Sequence, residues 1–221
     1  MRPSRRTLLA LAALAPVPAR AQEPLMRRPQ SWQARRFQNV VRQVLEFSCG
    51  SASLATLLTH YLGRPTSEAE VIGMLMRRYP TEAEWARKQE TGFSLEDLIF
   101  AAGQLGFAAQ AARIAPRELP RIAGPVIIHL DKGEWEHFSV LRASRDGFHY
   151  LADPIRGQVT MLDDEFRREF TGAVLAVWRR GEGLPGTSPL QAVRDGVSVE
   201  STTARAIQGM VMPLTSFPIP Y

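Results

Sequence analysis

The chain predicts an α+β fold in which N-terminal helices pack on a mostly antiparallel sheet. Three observations carry this. Between residues 48 and 105, apolar residues recur every three to four positions, framed by helix start and stop signals. From Phe107 onward the pattern changes to short apolar runs separated by turn residues. Helical and strand patterns are segregated along the chain, which argues against a doubly wound parallel sheet.

The elements follow in order. Phe37–Gln43 reads as a short extended piece. A helix starts at Ser48 or Cys49, runs through Ala52, Leu54, Ala55, Leu58 and Tyr61, and stops at Gly63-Arg64-Pro65. Ser67-Glu68-Ala69-Glu70 fits a capping box ahead of Val71, Met74 and Leu75. Residues 77–91 are polar and charged and read as a surface excursion. Ser94-Leu95-Glu96-Asp97 repeats the capping pattern, and Leu98, Ala101, Ala102 and Leu105 line a third helix closed by Gly106. Strands are expected over Phe107–Ala111, Pro125–Leu130, His137–Ala143, Phe148–Ala152, Gly157–Met161 and Ala173–Trp178. Asp146-Gly147 is a hairpin signal joining the third and fourth of these. Residues 116–122 suggest a short helix or turn, and Asp163 or Asp164 opens a helix near Phe166.

The ends differ in composition from this core. Arg2, Arg5 and Arg6, the apolar run Thr7–Ala15 and the small-x-small triplet Ala19-Arg20-Ala21 read as an export signal over residues 1–21. Cleavage near Ala21 and a periplasmic location are the expectations that follow, with Sec and twin-arginine export both open. Residues 22–36 read as a polar arm, 37–180 as the folded domain and 181–221 as a Gly/Pro/Ser-rich tail with one helical patch near 202–208. The whole chain has 27 basic and 22 acidic residues, but Arg2, Arg5, Arg6 and Arg20 precede the expected cleavage site and no acid does. The remainder is nearly neutral, and no nucleic-acid-binding signature is present, so nucleic acid is not an expected partner. No later segment has the roughly 20 apolar residues of a membrane span, so stable membrane insertion is not expected.

Cys49 is the only cysteine and cannot form an internal disulfide. It is an inert core thiol, an attachment point or a nucleophile. Its place at a helix start, beside the small residues Gly50 and Ala52, suits a nucleophile, because free helix amides stabilise negative charge there. A nucleophilic cysteine needs a base within reach. Of four histidines, His60 lies three turns along the same helix, His129 reads as a satisfied core residue, and His149 sits inside a strand. His137 starts a strand beside the polar loop 132–136, where an imidazole is both held and accessible. Asp153 ends the hairpin partner of that strand and is the candidate orienter of His137. Taken alone, Asp153-Pro154 is simply a turn; Asp131 and Glu136 are nearer His137 in sequence but sit in the loop. Gln43, alone a surface glutamine, has a side-chain amide suited to an oxyanion. The Cys49 backbone amide would be the second donor.

Gln43-Val44-Leu45-Glu46-Phe47-Ser48-Cys49-Gly50-Ser51-Ala52-Ser53-Leu54-Ala55 resembles the cysteine box of the C39 peptidases, a family with the papain-like cysteine peptidase fold. His137-Phe138-Ser139-Val140-Leu141 resembles the family's histidine box, and Leu151-Ala152-Asp153-Pro154 with Gly157 its aspartate box. Phe166 and Gly172 are similar to its terminal region. The resemblance covers roughly residues 38–178 with the boxes in order. It implies Cys49 as nucleophile, His137 as base, Asp153 as orienter and Gln43 as oxyanion donor, with no cofactor. One departure is Ser48, where the family commonly has aspartate.

The likeness extends to the stand-alone C39-like proteins of functional-amyloid secretion systems. It implies a cysteine peptidase that processes secreted substrates or assists their export, with fibre subunits and an outer-membrane export pore as partners. The alternatives are a catalytically silent module that binds an export substrate and an acyl-transfer enzyme acting on a non-protein substrate.

Overall fold

Four hydroxyl side chains set the helix starts. Ser31, Ser67, Thr81 and Ser94 accept the amide N–H groups of Ala34, Glu70, Glu84 and Asp97, opening α1 (Trp32–Arg36), α3 (Glu68–Arg78), α4 (Glu82–Thr91) and α5 (Leu95–Gln104). The capping box is reciprocal at Thr81 and Ser94. At Ser67 only half of it forms, because the Glu70 carboxylate pairs with Arg64 at 2.9 Å. The remaining long helix, α2 (Cys49–Thr56), passes into a π-helical turn at Leu57–Tyr61. The computed structural model describes residues 31–122 and 124–182. The expected export signal, the tail beyond residue 182 and its helical patch lie outside them, as does all of the expected arm except residues 31–36, which include α1.

The strands are β1 (Phe107–Arg113), β2 (Val126–Asp131), β3 (Glu136–Arg145), β4 (Phe148–Asp153), β5 (Gly157–Leu162) and β6 (Phe170–Arg179). A 3-10 turn, Pro116–Arg121, precedes β2, and α6 (Asp163–Glu169) precedes β6. The sheet order is β1-β6-β2-β3-β4-β5 and every pairing is antiparallel. Segregated helices and an antiparallel sheet are the α+β class that the sequence predicts.

The apolar run of β2 is explained by cover on both faces. Ile127 joins Leu54, Leu58, Leu75, Leu98, Val140 and Leu175 under the α2, α3 and α5 helices. Val126, Ile128 and Leu130 face the other way, with Leu141, Leu151, Phe166 and Val174. Alternation of side chains along a strand makes this division. Among the described residues, no helix is long and apolar enough to cross a membrane.

Two readings are refined. The polar stretch 77–91 lies at the surface, but much of it is regular: it forms α4, which docks through Trp85, whose ring lies 6.1 Å from Phe47 and 6.0 Å from Phe93. Asp97, buried at the start of α5, completes the anchor with Lys88 at 2.8 Å and the Tyr79 hydroxyl. Residues 37–43, read as a short extended piece, form a turn at 37–39 and irregular chain beyond it. Val41 N–H there donates to Thr56 Oγ1, and Gln43 N–H to the Pro154 carbonyl.

Candidate active site

Cys49 is the first residue of α2 and is half-buried. Ser53, one turn on, donates its hydroxyl to the Phe138 carbonyl at 3.2 Å and ties the helix to β3. The close approach depends on Gly50: a Cβ there would lie 3.3 Å from both the Leu98 and Phe138 side chains. Ser48 stands at the N-cap position but makes no capping bond. Its hydroxyl turns away to the Leu45 carbonyl and to the Glu68 carboxyl group.

His137 and Asp153 are brought together by an irregularity in the β3–β4 pairing. Near the hairpin turn Ser144 faces His149 and Ala143 faces Tyr150; beyond a bulge at Arg142, Leu141 faces Leu151 and Val140 faces Ala152. Continued without the bulge, the first register would set Asp153 opposite Val140, on the face opposite to His137. With the bulge, Asp153 falls opposite Ser139 and shares a face with His137, since a slip of one residue reverses the faces. His137 Nε2 then lies 3.1 Å from Asp153 Oδ2, and both side chains are essentially inaccessible, at 1% and 0% exposure.

The electrostatics follow from this pair. Burial works against ionisation of Asp153, but the His137 hydrogen bond and charge, followed by the charge and backbone amide of Arg156, hold its carboxyl well below the usual range. An ionised carboxylate only accepts, so His137 Nε2 carries the hydrogen and Nδ1 is the other, proton-accepting nitrogen. Burial alone would lower the His137 pKa. The hydrogen bond to Asp153, then the neighbouring Cys49 side chain, outweigh it and raise the value. Nδ1 is buried without a hydrogen-bond partner of good geometry, so Cys49 couples to the ring through a loose contact. Trp135 covers the ring edge-on, with centroids 4.9 Å apart.

Asp153 holds more than His137. Its Oδ1 accepts the backbone N–H groups of Ile155 (2.9 Å) and Arg156 (2.8 Å). Its Oδ2 also accepts Arg156 Nε at 3.1 Å. Gln43 reaches the same corner through its backbone bond to Pro154, while its Nε2 donates to the carbonyls of Leu45 (2.5 Å) and Glu46 (3.0 Å). Its side-chain donors are thus engaged with the loop preceding Cys49, and Gln43 must release one to serve an oxyanion.

His129 and His149 have their own partners. His129 Nδ1 lies 3.2 Å from Thr171 Oγ1, and His149 Nε2 lies 3.0 Å from Asp163 while its ring stacks on Phe166. His60 is half-buried in the π-helical turn, and burial lowers its pKa. Among the described residues, no cluster of three or more His, Cys, Asp or Glu side chains could hold a metal ion.

Two residues at the site have no role in the sequence reading. Glu68, the first residue of α3 and buried, accepts Val44 N–H at 3.0 and 3.1 Å and binds the Ser48 hydroxyl, gripping both ends of the loop before Cys49. Its sequence position reads as an ordinary first-turn acid; only Ser48 in place of the family's aspartate hinted at a missing carboxylate. Arg156 is the other; nothing in the sequence around it singles it out.

Residues 38–182 match the peptidase C39 family. The chain is 35% identical over 162 residues to a Pseudomonas aeruginosa protein named "Probable functional amyloid protease FapD", covering 73% of this chain and 69% of that one. A Pseudomonas fluorescens protein of the same name is 31% identical, over 75% and 71% of the two chains. Among solved structures, the peptidase domain of Streptococcus ComA, a bi-functional ABC transporter, superposes with a TM-score of 0.54 at 23% identity. It covers 63% of this chain and 97% of that domain, and the likeness supports the papain-like C39 architecture. These relatives correct one expectation. A periplasmic location does not stand: the chain also matches, at 30% identity, a microcin-H47 secretion/processing ATP-binding protein of Escherichia coli. That protein is named as a probable secretion/processing ATP-binding protein, and the chain covers 20% of it.

Proposed function

We propose that this chain, which belongs to the peptidase C39 family, hydrolyses peptide bonds in secreted substrate proteins with Cys49 as nucleophile, His137 as general base and acid, and Asp153 as orienter. The observation that carries the reading is the buried His137–Asp153 hydrogen bond of 3.1 Å beside half-buried Cys49.

His137 Nδ1 takes the thiol proton, and the Cys49 sulfur bonds to the peptide carbonyl carbon. The resulting oxyanion is met by the Cys49 backbone amide and by Gln43 Nε2 once it leaves a loop carbonyl. The C–N bond breaks, and the imidazolium returns its proton to the departing amine, leaving a thioester. Water, deprotonated by Nδ1, attacks the thioester; the carboxylic product leaves and the thiol regains its proton. Asp153 stays ionised throughout and stabilises the imidazolium.

A peptide substrate is supported by the surroundings. Val44, Leu45, Trp135 and Ile155 are exposed apolar side chains in the loops that carry Cys49, His137 and Asp153. The names of the Pseudomonas relatives point further, to amyloid-forming subunits as the substrates. The test is intact-mass analysis of such subunits incubated with the wild-type protein and with Cys49→Ala. Fragments formed only by the wild type support the reading; stable binding by both forms without fragments overturns it in favour of a silent binding module.

A further inference from the structure

The Asp153 carboxylate serves two cations, not one. Its Oδ2 accepts from His137 Nε2 and from Arg156 Nε, each at 3.1 Å, and Arg156 Nη2 lies 3.0 Å from the same oxygen as an ion pair without hydrogen-bond alignment. The orientation of Asp153 does not depend on the Arg156 side chain, because Oδ1 is pinned by the backbone amides of Ile155 and Arg156. The Arg156 backbone is held independently, through the donation of Arg36 Nε to its carbonyl.

We propose that Arg156 is a positioning residue of the site: by sharing Asp153 Oδ2 with His137, it sets the pH at which the imidazole releases its proton. Two positive charges on one carboxylate oppose each other, so the guanidinium weakens the hold of Asp153 on the imidazolium. The groups facing His137 are Cys49 from α2, Asp153 from the end of β4 and the ring of Trp135 from the preceding loop. Charges on the adjoining segments are turned elsewhere: Glu136 toward His129 at 3.6 Å, Lys132 to Glu169, and Arg36 to the Arg156 carbonyl. Arg156 is the cation bonded directly to the carboxylate that holds the imidazole, and its effect on turnover rests on the peptidase reading above. Its effect on His137 does not.

The size follows from the geometry. Each cation lies within 3.1 Å of one oxygen, so the two are no more than about 6 Å apart. The Arg156 side chain is 32% exposed, and solvent screening leaves an effect of about 0.5–1 in pH.

The experiment is a pH titration of the His137 imidazole by NMR in the full chain, for the wild type, Arg156→Gln and Arg156→Lys. A melting curve for each variant establishes that it is folded. Arg156→Gln should raise the His137 midpoint by about 0.5–1 in pH, and Arg156→Lys by less than half as much. A midpoint that stays or falls in Arg156→Gln overturns the proposal. The same shift should appear in the pH profile of Cys49 alkylation, which needs no substrate. A protein that cleaves nothing but shows the shift supports this proposal and refutes the peptidase reading. A protein that cleaves its substrate with no shift does the reverse.

Discussion

Replacing Glu68 with alanine should loosen the loop that delivers Cys49, and the structure gives the size of the loss. The carboxyl group accepts Val44 N–H and binds the Ser48 hydroxyl, and the side chain is buried. Ser48 has one proton and keeps the Leu45 carbonyl as an acceptor at 2.7 Å, so its loss is small. The lost Val44 hydrogen bond costs about 1 kcal/mol, since water can partly replace it at an exposed residue. The one buried methylene removed, Cγ, contributes about 0.8 kcal/mol. The expected destabilisation is about 2 kcal/mol, measured from urea unfolding. Glu68→Gln should recover at least half of it, because an amide oxygen can still accept Val44 N–H. Under conditions where both variants are folded, kcat on a cleavable peptide should fall by about 10–100-fold in Glu68→Ala, with KM changing less, because the nucleophile is misplaced while the substrate surface survives. An alanine variant within about 0.5 kcal/mol of the wild type and with unchanged kcat would refute the reasoning.

Two further outcomes follow from the same corner of the fold. Gly157 has φ +79°, and a Cβ there would come within 2.8 Å of Arg36 Cγ and against the Arg36 carbonyl, so Gly157→Ala should cost about 2–4 kcal/mol in urea unfolding; a loss below about 0.5 kcal/mol would contradict this packing. The folded-state pKa of Asp153 is depressed, so its stabilising contribution is complete above the unfolded value of about 3.9 and is lost as pH falls through the folded value. The stability gap between the wild type and Asp153→Asn should therefore narrow from pH 6 to pH 3. His137 works in the opposite direction: its pKa is raised, so its contribution is complete below about 6.5 and is lost as pH rises through the folded value. A gap that stays constant across pH 3–6 would count against the ion pair.

What the sequence reveals is local. Ser94 followed by Asp97, and the apolar runs of β2, β3 and β4, need only near neighbours to be read, and those elements form as expected. The proximity of His137 and Asp153 follows from the hairpin at Asp146-Gly147. Their shared face does not, because it depends on one extra residue in β3, Arg142, that carries no turn or glycine signal. The helix α4 is polar along most of its length and owes its place to Trp85, packed on Phe47 from the loop before Cys49 and on Phe93 just past the helix end, and to the Lys88–Asp97 ion pair. The insertion of β6 between β1 and β2 is likewise decided by long-range packing. Glu68 and Arg156 look like a helix-start acid and a turn cation. Their function comes from being folded against Val44, Ser48 and Asp153.

The central claim is that Cys49 and His137 act as one reactive pair. It is tested most directly by the rate of Cys49 alkylation with iodoacetamide between pH 5 and 9, in the wild type and in His137→Ala. The account predicts that the wild type reacts at least about 10-fold faster near pH 6, an advantage that disappears when His137 is removed. Superimposable rate–pH profiles for the two proteins would contradict it.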